Sequence, residues 1–183
     1  MKLKKAIELL AKEKRINLYT APDEGATVRQ WIGSGGVLYA MEGLPQMSPD
    51  MLRAAYDIGA GVEIVDCGVL PEGLICADVH ITDNAIEPES IQLDPAGIGT
   101  LCFATQRGEI FFQRKYLKPA EDARMLGYFE RVMPGGALML AVKDGARLLA
   151  LVAPIKCLRS DWMNELEALT MRLRRTMDEQ EED

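Results

Sequence analysis

Residues 137–154, ALMLAVKDGARLLALVAP, place two apolar runs on either side of Asp144-Gly145. An Asp-Gly pair between such runs is the strongest short-range signal for a β-hairpin, because a type I′ turn needs positive φ at both central residues. The reading sets Val142 opposite Arg147, Leu140 opposite Leu149 and Leu138 opposite Leu151. Neither strand alternates between apolar and polar residues, which is the pattern of strands covered on both faces. The hairpin is therefore expected near the middle of a sheet or beneath an interface, with the rest of the fold organised around it.

The remaining segments supply partners for it. Leu3, Ile7, Leu10 and Ala11 recur at helical spacing within Lys2–Lys14, opposite a lysine and glutamate face. Ile16–Ala21 reads as a strand and Pro22-Asp23-Glu24-Gly25 as a turn. Val28–Ile32 and Val37–Met41 then form a hairpin around Gly33-Ser34-Gly35-Gly36. Phosphate-cradling glycine loops open helices, whereas a strand follows this one, so it reads as a turn. Trp31 and Tyr39 are expected to pack beside this hairpin, with ligand stacking as the alternative.

Ser48-Pro49-Asp50 is a helix start, with a serine cap and proline at the first helical position. Met51, Leu52, Ala55 and Tyr56 form the apolar face of that helix, and Gly59-Ala60-Gly61 ends it. Val62–Val65 and Leu74–Ile81 read as strands. Leu101–Thr105 and Glu109–Arg114 make a third hairpin around Gln106-Arg107-Gly108, whose apolar content is Phe103, Phe111 and Phe112. Tyr128–Met133 is a strand and Pro134-Gly135-Gly136 a turn. Ser160 caps a last helix with Trp162, Leu166, Leu169, Leu173 and Met177 on one face. The two hairpins at Leu101–Arg114 and Leu138–Val152 each bend around a charged residue and glycine, a weak internal echo.

These elements give an α+β fold, mostly antiparallel sheet built from three hairpins with about three packing helices. The prolines, glycines and carboxylates of 83–99 mark a linker between an N-terminal α+β half, 1–82, and a C-terminal β-hairpin and helix half, 100–183. The alternative is one compact domain. The uncovered faces of the central hairpin lead to the expectation of a homodimer, unless a second sheet of the same chain covers them.

Chemistry is sparse. Net charge is -7, which disfavours a nucleic-acid binder held by bulk charge. No apolar run reaches the ~18 residues of a membrane span, and the basic N-terminus has no cleavage pattern of a signal peptide, so the expected location is cytoplasmic with no membrane partner. Cys67, Cys76, Cys102 and Cys157 form no CxxC pair and read as reduced thiols. His80 is the only histidine. It lies near Cys67 and Cys76 in sequence, and a Cys-His pair there would make a small enzyme. No HExxH, GxSxG, Walker or GxGxxG unit is present. The expectation is no catalytic residue, metal or cofactor. Arg114, Lys115, Tyr116 and Lys118 form a basic patch with an aromatic residue among them. They are the candidate nucleic-acid or partner contact, against the plainer reading of a solvated strand end.

Four segments, KLKKAIELL, QWIGSGGVLYAMEGLP, KYLKP and YFER with AVKDGARLLALVAPI, resemble uncharacterised proteins carried by prophages and mobile elements of gut Firmicutes. The resemblance implies a setting in phage-type DNA metabolism and carries over no catalytic residue. The order of helix, three strands, helix and further hairpins is also similar in outline to sliding-clamp domains, an analogy of architecture alone. The resulting expectation is a non-enzymatic interaction protein of a phage-type DNA replication or maintenance module, with a clamp-like accessory as one form. Weak DNA contact and an unknown protein partner go with it. The alternatives are an enzyme at Cys67, Cys76 and His80, and an acidic inhibitor of a host nuclease.

Overall fold

The computed structural model describes residues 2–22, 28–89, 99–155 and 167–172. It is an α+β fold dominated by sheet. Helix α1 (Leu3–Lys12) buries Ala6, Ile7 and Leu10, the face its periodicity marks. The chain turns at Lys14, with φ 62, into strand β1 (Arg15–Pro22). Strand β2 (Val28–Ser34) pairs antiparallel with β1, and β3 (Val37–Met41) with β2. Two glycines of this hairpin, Gly33 in β2 and Gly36 in the turn, are there for close approach. A Cβ at Gly33 would run into the Val37 carbonyl oxygen, and Gly36 lies against the Tyr116 ring.

Helix α2 (Pro49–Tyr56) starts as expected, with Ser48 Oγ accepting the Met51 N–H at 3.2 Å. Its apolar face is narrower than its spacing suggests: Leu52 is buried, whereas Met51 and Ala55 are exposed. It also stops earlier, at Asp57 in the left-handed region with φ 51. Asp57 takes the left-handed position that a glycine would otherwise fill, and beyond it the Arg53 guanidinium donates to the carbonyls of Ile58, Gly59 and Val62. Strand β4 (Glu63–Val69) returns parallel to β1.

The expected strand Leu74–Ile81 does not form; this segment is a loop. The strand that does form, β5 (Asn84–Ile86), lies within the stretch read as linker and pairs with a later strand. Strands β6 (Thr100–Thr105) and β7 (Gly108–Gln113) form the expected third hairpin as a separate two-stranded sheet, with Gly108 of its turn at φ 101. Two 3-10 turns, Arg114–Tyr116 and Lys118–Ala120, lead to β8 (Leu126–Val132), β9 (Leu138–Asp144) and β10 (Arg147–Val152). Of the last expected helix, residues 167–172 are helical; Ser160, Trp162, Leu166, Leu173 and Met177 lie outside the described residues, as does the turn after Pro22.

The main sheet has the order β4-β1-β2-β3-β10-β9-β8-β5. That order is symmetric about the β3–β10 pair: each half is a three-strand antiparallel meander with one outer strand. The symmetry breaks at the outer strands, since β4 is parallel to β1 and β5 antiparallel to β8. The internal correspondence is thus β1–β3 with β8–β10. It is not the echo between the two Gly-containing hairpins, one of which lies in the other sheet.

The β9–β10 hairpin sits at the centre, but its register differs from the expected one. Asp144 pairs with Arg147 and Leu148 with Lys143, leaving Gly145-Ala146 as the loop. Gly145 has φ 60 and Ala146 is not at positive φ, the pattern of a type II′ turn rather than I′. Asp144 stays in the strand because β8 holds it: Leu126 is its partner, and its carboxylate accepts the Met125 N–H at 2.8 Å. Beyond the turn, Leu149 bulges, so that Ala150 faces Val142.

Both faces of the hairpin are covered within the chain. On one face Leu140, Val142, Leu149, Ala150 and Val152 join Ile7, Leu10, Ile16, Ile32, Tyr39 and the second sheet's Phe103 and Phe112 in one core. Phe103 packs edge-on against Phe112 and Tyr128, with centroids 5.6 and 5.3 Å away. On the other face Ala141, Leu148 and Leu151 meet Trp31, Leu38, Ala40 and Met133, with Leu74, Ile75 and Cys76 of the 70–83 segment against them. The second sheet and this segment supply the cover for which a second copy of the chain was invoked.

Candidate functional site

The 70–83 segment crosses one face of the main sheet without forming a strand, and side chains rather than backbone ladders hold it. Three inward positions on the strands beneath it are charged where apolar residues would serve: Arg29 on β2, Arg131 on β8 and Lys143 on β9. The Arg131 side chain is 0% exposed and that of Lys143 5%. Such groups are rarely buried unless paired.

Their counter-ion is Asp83, whose side chain is 7% exposed. Arg131 grips it with two parallel bonds, Nε to Oδ1 at 2.6 Å and Nη2 to Oδ2 at 2.7 Å. Lys143 Nζ reaches Oδ2 at 2.5 Å and lies 4.6 Å from the centroid of the Phe129 ring. The remaining Arg131 nitrogen, Nη1, donates to the carbonyls of Ile75 and Ala77 at 2.9 and 2.8 Å. Burial works against the Asp83 charge, but Arg131 and Lys143 outweigh it and hold the carboxyl below the usual range.

A second anchor lies at Asp78. Its Oδ1 accepts the Leu148 N–H at 2.9 Å and Arg29 Nη1 at 2.7 Å. Arg29 Nη2 in turn donates to the Leu148 carbonyl at 2.7 Å and to Glu42 Oε1. The β10 bulge begins at Leu148. A bulge leaves backbone groups without ladder partners, and Asp78 and Arg29 satisfy those of Leu148. Burial again opposes the Asp78 charge, and Arg29 and the Leu148 N–H lower its pKa nonetheless.

Between the two anchors the backbone is tied further. The His80 N–H donates to Asp83 Oδ2 at 3.0 Å, and the Asp83 N–H to the His80 carbonyl at 3.0 Å. Thr82 Oγ1 accepts the Val132 N–H at 3.1 Å and lies 2.8 Å from His80 Nδ1. The residues left over are Val79, 68% exposed, and Ile81, 97% exposed. Two β-branched apolar side chains thus face solvent from a loop whose Asp83 end is locked by buried charge and whose Asp78 end is held by Arg29, with the Asp78 side chain half-exposed.

The other candidates fall elsewhere. Arg114 and Lys118 are exposed. Lys115 Nζ pairs with Glu13 Oε1 at 2.6 Å. Tyr116 is buried; its hydroxyl donates to Glu13 at 2.9 Å, and its carbonyl accepts from Tyr39 O–H at 2.8 Å. Its ring is part of the core, not a free stacking platform. Trp31 and Tyr39 are likewise buried, on opposite faces of the sheet. Cys67 is exposed on β4, whereas Cys76 is half-buried and lines a cleft of ≈ 390 Å³ between the 69–77 segment and β1–β2. Burial pushes the Cys76 thiol up to about 11, so it is protonated at neutral pH, the reverse of an activated nucleophile. Among the described residues no hydrogen bond joins His80 to a cysteine, and no three His, Cys, Asp or Glu side chains are gathered to hold a metal ion.

Sequence reasoning passed over Asp83, Arg131 and Lys143. The signal was there as a charge at an inward strand position, Arg131 between Phe129 and Met133, and Lys143 beside Val142. It could not be read without the register. Comparison with family models, curated proteins and solved structures finds no match to this chain, so the resemblance to prophage-borne proteins and the clamp analogy gain nothing from that quarter.

Proposed function

We propose that this chain is a non-enzymatic interaction protein that presents the Asp78–Asp83 loop to a protein partner. The observation that carries the reading is the use made of its buried charge. Replacing a buried ion cluster by apolar residues of similar volume is often neutral or stabilising, so such a cluster is poorly explained by stability alone. Here Asp83, Arg131 and Lys143 converge on one loop and set its position. Loops held by a rigid scaffold are where binding residues concentrate. A loop already ordered before binding loses less entropy on contact, which favours affinity from a small surface. Val79 and Ile81 are the residues offered. The setting we infer is phage-type DNA replication or maintenance, on the strength of the four resembling segments.

The test is paired affinity capture from the source cells, using the parent and a Val79→Asp, Ile81→Asp variant. Both positions are exposed, so the variant should melt with the parent. The reading expects a protein that the parent retains and the variant loses, and whose binding is reproduced with purified components. Identical capture by both, or capture of another copy of this chain alone, would overturn it.

A further inference from the structure

Residues 2–15 and 114–124 hold ten of the chain's 21 lysines and arginines, against four carboxylates, in a protein of net charge -7. They are about a hundred residues apart in sequence, and the fold joins them. The Lys2 N–H donates to the Pro119 carbonyl at 3.0 Å, Lys5 Nζ meets Asp122 at 2.9 Å, and Lys115 meets Glu13 at 2.6 Å. Where α1 meets the two 3-10 turns, a groove of ≈ 240 Å³ is lined by Lys5, Lys12, Lys115 and Lys118, with Glu8 and Glu121. Lys5 and Lys115 already have carboxylate partners. Lys12 and Lys118 have none among the described residues, nor has Arg114, which precedes Lys115 in the same turn and is exposed.

We infer that this ridge binds the phosphate backbone of nucleic acid. The argument is charge complementarity. Unpaired cations on one surface of an acidic protein make a local positive field, which attracts a polyanion while the remaining surface repels it. Apart from its charged residues the groove is lined by Leu9 and Pro119, which bring no polar side chain that could read bases. The contact is therefore electrostatic and independent of base sequence, and neutralising phosphates releases counter-ions. This surface is separate from the Asp78–Asp83 loop, and the inference stands without it.

Fluorescence anisotropy of a labelled DNA duplex, titrated with the full chain at several salt concentrations, tests it. Three to five phosphate contacts correspond to a slope of log K against log salt between about −3 and −5. Lys12→Gln with Lys118→Gln should weaken binding about tenfold or more and flatten the slope by about 2. Both side chains are exposed and, among the described residues, unpaired, so the fold should be kept, and Arg114→Gln provides a second, independent variant. No binding by the parent at low salt, or equal binding by the glutamine variants, would overturn the inference. Competition by uncharged polyglutamine equal to that by unlabelled DNA would likewise overturn it, by showing that charge is not the recognised property.

Discussion

Replacing Asp83 with alanine removes one carboxylate and strands two buried cations. Arg131 would lose two of its bonds and Lys143 its ion pair, at sites 0% and 5% exposed. The His80 N–H would lose its acceptor as well. Breaking a buried pair from one side costs about 3–5 kcal/mol. Against a typical total of about 5–15 kcal/mol, that is a large share of the stability. For a chain of this size it corresponds to a fall in melting temperature of roughly 6–20 °C. Urea unfolding at neutral pH, followed by tryptophan fluorescence, gives the midpoint and slope that measure it. A triple variant, Asp83→Leu with Arg131→Met and Lys143→Met, should recover most of the loss while freeing the loop, because no charge is then left unpaired. A cost below about 1 kcal/mol for Asp83→Ala would refute the reasoning, since Asp83 could not then be the counter-ion of two buried cations.

The same carboxylate sets an acid limb. Its folded pKa lies below the unfolded value near 3.9, so its contribution is full at neutral pH and is lost as pH falls through the folded value. Stability measured from about pH 5 downward should decline in the parent and decline less in Asp83→Asn; parallel curves would count against the pairing. Gly145→Val forces a β-branched residue to φ 60 and should cost about 1–2 kcal/mol or more in a thermal melt, with an unchanged curve refuting the turn. In the native protein Cys67, exposed, should react with a thiol reagent well before Cys76, whose thiol burial holds up at about 11. After denaturation without reductant all four cysteines should titrate, whereas two would reveal a disulfide.

Much of the architecture is legible in the sequence because it is written in local terms. Ser48-Pro49 specifies a helix start, Gly108 a left-handed turn residue, and the unbroken apolar run of Leu138–Val142 a strand covered on both faces. What fails is whatever a distant partner decides. Asp144-Gly145 reads as a type I′ turn, but β8 holds Asp144 in the strand and moves the loop on by one residue. Leu74–Ile81 alternates like a strand, but the side chains of Arg29, Arg131 and Lys143 meet Asp78 and Asp83 and hold the segment as a loop instead. Those five residues are spread from position 29 to position 143, and each looks ordinary in its own window. The candidate site was illegible for the same reason: its chemistry is a pairing across the sheet, and its exposed residues, Val79 and Ile81, read as part of a strand that does not form.

The most direct measurement is amide hydrogen exchange across residues 75–83 of the free, full-length chain. If buried charge fixes this loop before any partner arrives, the amides of His80 and Asp83 should be protected, although no β-ladder holds them, and Asp83→Asn should release them while the β9–β10 amides stay protected. Exchange of His80 and Asp83 at the rate of an unstructured peptide in the parent would contradict the claim that the loop is pre-ordered.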